Sequence, residues 1–395
     1  MVKAKSVIIQ GEYDYVVVGC GFCGSVIARR LADEKNKKVL ILEKRPHVAG
    51  NMYDEFDEHG ILVQRYGVHV FRTDHESIFN YLSRFTEWFD YSITCLSEIK
   101  GKKVPVPFNF TCIDAFFSDK SKVLKDKLIK MFGIDRVPVL SLINSDDPDV
   151  KEFGTFLFEY DYRPYTAKQW GRDPFDIDVS ILERVRIELS YDDRFFTNRY
   201  QCIPKHGFTK TFERMLDHPN ITVKLNTDVR DVMELKGDRI NIKGINPGAT
   251  VIYTGALDSL FNFEYGDLPY RTLDFEYETH FIDYYQEAPF IVYPMHPTMT
   301  RITEFKYITG QKMKDKTTIV KEYPKEYVSN DDTNEPYYPV ISDENKAVHK
   351  RYMDLSKKYS NLTICGRLAD YEYYYMDSAV LRAFEVYESL TEGVK

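Results

Sequence analysis

Three glycines set the first chemical expectation. Gly19, Gly21 and Gly24 form a G-x-G-x-x-G array inside DYVVVGCGFCGSVIARRLADEKNKKVLILE, residues 14–43. Gly19 permits a tight turn, Gly21 lets backbone approach a pyrophosphate, and Gly24 lets the following helix close on the strand. The helix N-terminus then offers free N–H groups and a positive dipole end to phosphate. Glu43 lies 19 residues beyond Gly24, at the end of the second strand. That is the position from which a carboxylate meets a ribose diol. Ala49-Gly50-Asn51 adds a second small-residue turn just past the acid. Such a turn suits an extended FAD better than a nicotinamide dinucleotide. Near the other end of the chain, a strand closes at Cys365-Gly366-Arg367 and a helix begins near Asp377. Its N-terminus would stabilise negative charge on a reduced isoalloxazine. Arg367 is placed to meet a pyrophosphate.

These residues need elements to hold them. Alternation over 61–73 predicts a strand and turn, and spacing from His75 (Ile78, Tyr81, Leu82, Phe85) predicts a helix. Further helices are predicted over 113–118, 121–132, 150–160 and 179–189. Strands are predicted at 221–225, 239–243, 250–254, 270–281, 289–294, 300–308 and 316–323. Residues 1–12 are expected to be a short leader or an edge strand. The expected fold is α/β: a discontinuous Rossmann-like FAD-binding domain (1–74, 200–265 and 355–395), a mainly helical insertion (75–199) and an antiparallel sheet domain (266–354).

A chain of 395 residues exceeds what one core usually serves. With 30 Tyr and 26 Phe it has aromatics enough for a large ligand cleft, although most must be core. The net charge of −8 argues against nucleic acid, so an anionic ligand must be held by local Arg or Lys. No apolar run approaches the roughly 20 residues of a membrane span. Cys20 and Cys23 form C-x-x-C, but inside the glycine turn, where small residues are needed anyway. No metal site is expected, and a reduced, cytoplasmic compartment fits.

Taken in order, GCGFCG, AGNMYDE, YGVHVFRTD, PYTAKQWG, YTGALD, TRITEFKY, EPYYP and GRLADYEYYYMD resemble the UDP-galactopyranose mutase family over nearly the whole chain. The resemblance implies a three-domain flavoprotein that interconverts UDP-galactopyranose and UDP-galactofuranose. It implies FAD, active only when reduced, with an external reductant such as NAD(P)H. N5 of the flavin would attack the anomeric carbon as UDP leaves. Arg184 and Arg301 match the diphosphate pair, and His69 matches a histidine beside the flavin. Tyr165 and Trp170 match the uridine and mobile-loop region. Tyr337 or Tyr338, with Tyr373, matches tyrosines that reach the diphosphate. Phe22, Lys44, Gly50, Asn51, Gly366, Arg367, Tyr373 and Met376 join Gly19, Gly21, Gly24 and Glu43 as expected cofactor contacts. A homodimer is compatible with the resemblance but not required by it.

Four positions depart from the family pattern. Ala49 replaces a Gly, which is tolerable if its φ is negative. Phe195 replaces a substrate-facing Tyr, and Tyr375 replaces an acid. Arg72 replaces a His, and its guanidinium could serve a 2-acetamido carbonyl, which would admit UDP-N-acetylgalactosamine. The bland alternative pairs Arg72 with Asp74. Two competing functions remain at this stage: a redox flavoenzyme of the amine-oxidase type, and a UDP-sugar-binding protein without turnover.

Overall fold

The strand Tyr15–Val18 and its neighbours Val39–Leu42 and Thr250–Tyr253 are apolar almost without interruption. Strands of that kind must be covered on both faces, which a parallel sheet with flanking helices achieves. The computed structural model, which describes residues 9–173, 182, 185–329, 331 and 334–392, contains this sheet. Its order is Ile221–Lys224, Val39–Leu42, Tyr15–Val18, Thr250–Tyr253, Leu362–Ile364, and every neighbouring pair is parallel. Its strands come from widely separated stretches of chain. The helices Phe22–Lys35 and Met376–Thr391 share one core, in which Val26, Ile27 and Leu31 join Val380, Ala383 and Val386.

A second sheet has seven strands. Its order is Tyr338–Pro339, Tyr270–His280, Thr317–Glu326, Arg301–Glu304, Phe290–Val292, Cys95–Ile99, Lys102–Val106. All pairs are antiparallel except Phe290–Val292 with Cys95–Ile99. Two of its strands thus arise inside 75–199, the range expected to be mainly helical. The α-helices of that range, among the described residues, are Glu76–Ser83, the one predicted from His75, then Phe110–Phe116, Ser121–Phe132, Val139–Ile143, Pro148–Leu157 and Arg163–Trp170. Asn109 and Asp147 cap two of them, each accepting from backbone N–H groups of the first turn. A π-helical segment, Phe158–Tyr162, joins the last two.

Several expectations are corrected. The helix predicted over 179–189 falls partly on 174–181, 183 and 184, outside the described residues. Its end is extended: Ile187 and Val137 exchange backbone hydrogen bonds of 2.8 and 2.9 Å. The strand predicted over 300–308 stops at Glu304, and Phe305–Thr309 is a helix. Among the helices that went unpredicted, two are instructive. Asp343–Ser356, capped by Ser342, buries only Tyr352, Leu355 and Ser356, too few for a clear period. Phe208–Leu216 buries Phe208, Thr211, Phe212, Met215 and Leu216, a helical spacing that was readable. Of the leader, residues 1–8 lie outside the described residues, and Gly11 makes one bridge to Ile245.

Candidate active site

The glycine turn is built as its spacing requires. Gly19 has φ +101°, and a Cβ there would lie 2.1 Å from Thr254 Oγ1. A Cβ on Gly24 would lie 2.1 Å from the Gly19 carbonyl oxygen, so helix and strand touch. A Cβ on Gly21 would meet no protein atom within 4 Å, because this glycine faces an open cleft. The helix beginning at Phe22 has no side-chain cap, which leaves its first N–H groups for a ligand. Glu43 is 5% exposed and accepts from the Cys20 and Arg45 backbone N–H groups at 2.8 and 2.9 Å. Each oxygen keeps a lone pair for a ribose hydroxyl.

The second turn presses on the first: a Cβ on Gly50 would lie 3.0 Å from Gly21 Cα. Ala49 has φ +75°, so the condition set for it fails, and this Ala occupies the left-handed region. Asn51 accepts from Arg45 at 2.9 Å, and Lys44 pairs with Glu335 at 2.8 Å. On the far wall, Gly366 has φ +122° and donates to Asp370, which Arg382 anchors at 3.1 Å. The helix starting at Met376 is likewise uncapped by any side chain.

A cleft of about 1220 Å³ runs from these turns to the seven-stranded sheet. Arg301 lines it and stands 2.8 Å from buried Glu322, at contact distance but not aligned for a hydrogen bond. Burial opposes the guanidinium's charge, and Glu322 more than offsets this, so its pKa is raised. His69 also lines the cleft. Its Nδ1 lies 2.9 Å from the Gly67 carbonyl and its backbone N–H donates to Gln64 at 2.6 Å. Burial, then Arg367 and Arg301, push its imidazole down to about 3. His69 is therefore neutral at physiological pH. The Gly67 carbonyl assigns the proton to Nδ1 and leaves Nε2 as an acceptor.

An aromatic ribbon crosses the cleft. Tyr338 stacks on Tyr373 at 5.6 Å, Tyr373 meets Tyr375 edge-on at 5.5 Å, and Arg367 lies 5.6 Å from the Tyr338 ring. Arg72 is clamped between Phe196 and Tyr375, its guanidinium carbon 4.2 Å from each ring centroid. It donates to Asn198, which in turn donates to Asp74, so Arg72 does not pair with Asp74 directly. Two of the departing residues, Arg72 and Tyr375, thus touch each other.

Gly19, Gly21, Phe22, Gly24, Glu43, Lys44, Gly50, Asn51, His69, Arg72, Tyr165, Trp170, Phe195, Arg301, Tyr338, Gly366, Arg367, Tyr373 and Met376 all line this one cleft. Tyr337 does not: it is 5% exposed and packs on Phe275, so of the two adjacent tyrosines Tyr338 is the one that lines the cleft. Arg184 lies outside the described residues, and so does the chain from residue 174 to 181 that follows the Trp170 helix. Sequence reasoning missed Glu322 and Asp161. Glu322 had a signal, an acid at a buried register position of its strand, whereas Asp161 had none.

Residues 161–373 match the family model for UDP-galactopyranose mutase, and 17–85 match an NAD(P)-binding Rossmann-like domain. The chain belongs to the UDP-galactopyranose mutase family. The UDP-galactopyranose mutase of Mycoplasma pneumoniae is 32% identical over 391 residues, spanning 96% of this chain and 97% of its own. The dTDP-fucopyranose mutase of Escherichia coli is 33% identical over 379 residues, spanning 94% and 96%. A solved structure of reduced UDP-galactopyranose mutase superposes with a TM-score of 0.74 at 14% identity, over 97% of this chain and 96% of that one. That last likeness concerns the fold. Membership makes the chain an isomerase of the mutase type. Among the described residues no helix is long and apolar enough to cross a membrane, and no acidic, His or Cys cluster could hold a metal ion.

Proposed function

We infer that the chain interconverts the pyranose and furanose forms of UDP-galactose, using reduced FAD held in the cleft. The observation that carries this reading is the continuity of the cleft: the glycine turn and Arg301 line one cavity. The residues fit FAD. Gly21 faces open space where a diphosphate needs backbone approach, while Gly19 and Gly24 have no room for a side chain. Bound and reduced, FAD would supply the N5 nucleophile that takes the anomeric carbon.

The protein's own groups handle the rest. Arg301, its charge secured by Glu322, would meet the diphosphate as it leaves with added charge. Arg184 is its expected partner on the motif alone. Tyr338 and Tyr373 would offer neutral phenol donors to the same oxygens, and burial keeps Tyr338 protonated. His69 would accept a hydrogen bond through Nε2 and cannot act as a proton donor near neutrality. Tyr165 and Trp170 would hold the nucleoside, Phe195 would give the sugar an apolar wall, and Lys44 would stay with Glu335 near the cofactor's ribose. The domain boundaries, a cytoplasmic setting, a homodimer and an NAD(P)H reductant belong to the same proposal.

The test is chromatography of UDP-galactose incubated with dithionite-reduced, FAD-loaded protein. A new UDP-sugar peak without stoichiometric loss of reductant is expected. Steady oxygen or NAD(P)H consumption with an organic donor would mean an oxidase instead. UDP binding without turnover would mean a binding protein. The dTDP-linked sugar of the Escherichia coli relative is the natural competitor substrate.

A second substrate, UDP-N-acetylgalactosamine, is favoured by Arg72, whose guanidinium lines the cleft and is tied to Asn198 rather than to an acid. A charge-assisted bond to the acetamido carbonyl is worth about 1.5–3 kcal/mol. Arg72→His should then lower kcat/KM for the acetamido sugar selectively. An unchanged ratio between the two sugars removes Arg72 from specificity.

A further inference from the structure

Among the described residues three aspartates are buried to almost the same degree: Asp54, Asp258 and Asp161 are 5%, 3% and 8% exposed. The first two are bound into the fold. Asp54 accepts from the Phe208 and Thr209 backbone N–H groups, and Asp258 from those of Ser259 and Leu268. Asp161 has no such support. It lies in the π-helical segment and lines the cleft. Its Oδ1 accepts one hydrogen bond, from Ser97 Oγ at 2.6 Å. Its Oδ2 takes none, and no cation stands within salt-bridge distance among the described residues. Lys168, the ammonium whose field reaches it, is committed to the carbonyls of Tyr293, His296 and Met299 at 2.6, 2.8 and 2.8 Å. A carboxyl group left this poorly paired in a cavity wall is poised for a ligand. Single π-turns often mark functional sites.

Its place along the cleft says which part of the ligand. His69 lies within the fields of Arg367 and Arg301, at the cofactor end. Tyr165 and Cys95 feel both Arg301 and Asp161. Asp161 stands four residues before Tyr165, the residue that the nucleotide-sugar reading assigns to the nucleoside, in the helical run that leads to it, and both line the cleft. We propose that Asp161, steadied by Ser97, reads the base of the bound nucleotide, facing the N3–H and adjacent carbonyl that uracil and thymine share. The proposal rests on the nucleotide-sugar reading above. In its neutral form the carboxyl group offers a donor beside an acceptor. Oδ2–H donates to the C4 carbonyl, and Oδ1 accepts from both N3–H and Ser97. The ionised form keeps only the N3–H contact and opposes the carbonyl's lone pairs. Burial raises the Asp161 pKa to about 7, with Ser97 and Lys168 pulling the other way. Tyr162, Tyr165, Cys95 and Cys112, the other titratable groups around it, stay neutral near pH 7. Base recognition is thus strongest on the acid side of neutrality.

The test measures UDP and inorganic pyrophosphate affinity calorimetrically on FAD-loaded wild type, Asp161→Ala and Asp161→Asn, at about pH 6 and about pH 8.5, either side of the titration. In Asp161→Ala, UDP should bind about three- to tenfold more weakly at the lower pH, with pyrophosphate unaffected. In wild type, UDP should weaken relative to pyrophosphate as pH rises. Asp161→Asn carries the same donor and acceptor without titrating, so its UDP affinity should stay level. Lys168 shares this field, since the Asp161 charge raises its pKa, so pyrophosphate measured on each protein at each pH is the reference against which the UDP change is read. If both variants follow wild type, or if UDP and pyrophosphate weaken together, the proposal falls alone. If wild type binds neither ligand, the nucleotide-sugar reading falls and takes this proposal with it.

Discussion

Arg301 and Glu322 form a pair whose members depend on each other, and this makes Arg301 testable. Removing one member of a buried pair leaves the other charge uncompensated. Arg301→Ala should lower kcat/KM by two to four decades, a loss of about 3–5 kcal/mol at the leaving diphosphate. FAD content should hold, because Arg301 belongs to the sheet rather than to the glycine turn. Glu322→Gln should cost less, since the guanidinium remains charged without it. Near wild-type turnover in Arg301→Ala would remove this residue from the mechanism. His69 makes a different claim, about pH. Its folded pKa, about 3, lies below the ordinary histidine value. Unfolded His69 takes up a proton below about pH 6.5 while the folded ring stays neutral. The unfolded state thus binds more protons in that range, and stability falls as pH drops from about 6.5 toward 3. The ligand-free His69→Gln variant should show a shallower fall in Tm over that range, and parallel Tm profiles would contradict the neutral assignment.

At the scale of elements, much was legible because period and punctuation agree. The strand–turn–helix–strand unit was readable from two apolar runs, three spaced glycines and an acid. The strands at 221, 239, 250 and 270 begin within a residue of their predicted starts, because β-branched runs there are bounded by turn residues. The hairpin at 95–106 was not legible as part of the large sheet. Its partner, Phe290–Val292, lies nearly two hundred residues away, and no local pattern records that pairing. Asp161 escaped for a related reason: what marks it is a lack of backbone partners, which only tertiary structure reveals. The glycine unit itself yields a prediction that separates folding from binding. Gly24→Ala would force a Cβ against the Gly19 carbonyl, so apo-protein Tm and FAD content should both fall. Gly21→Ala meets no protein atom, so apo-protein Tm should hold while FAD affinity drops. Equal Tm losses in both would show that Gly21 serves the fold and not a ligand.

Across the whole molecule, the cleft gathers residues that the chain keeps far apart. Gly21, Asn51, Thr227, Ser259 and Arg367 line it from the parallel-sheet side, and Tyr165, Phe290 and Arg301 from the other. The net charge of −8 would repel a dinucleotide, so the positive potential must be local. Uncapped helix N-termini at Phe22 and Met376, with Arg367 beside the second, supply it. Nothing in an unfolded chain could reproduce that arrangement, so FAD should bind the folded state alone. A ligand of this kind stabilises by RT ln(1 + [L]/Kd), about 2.7 kcal/mol at a hundredfold excess over Kd. Apo-protein titrated with FAD should therefore show a Tm that climbs with the logarithm of FAD concentration. The increment per kcal/mol should be smaller than in a short domain, because the unfolding entropy of a long chain is larger. UDP added to the FAD-loaded protein should raise Tm again, since its expected contacts at Tyr165, Trp170 and Arg301 lie apart from the glycine turn. A Tm indifferent to FAD would mean that the turns do not close on a dinucleotide. A Tm raised by FAD but not by UDP would keep the flavoprotein and discard the nucleotide-sugar substrate.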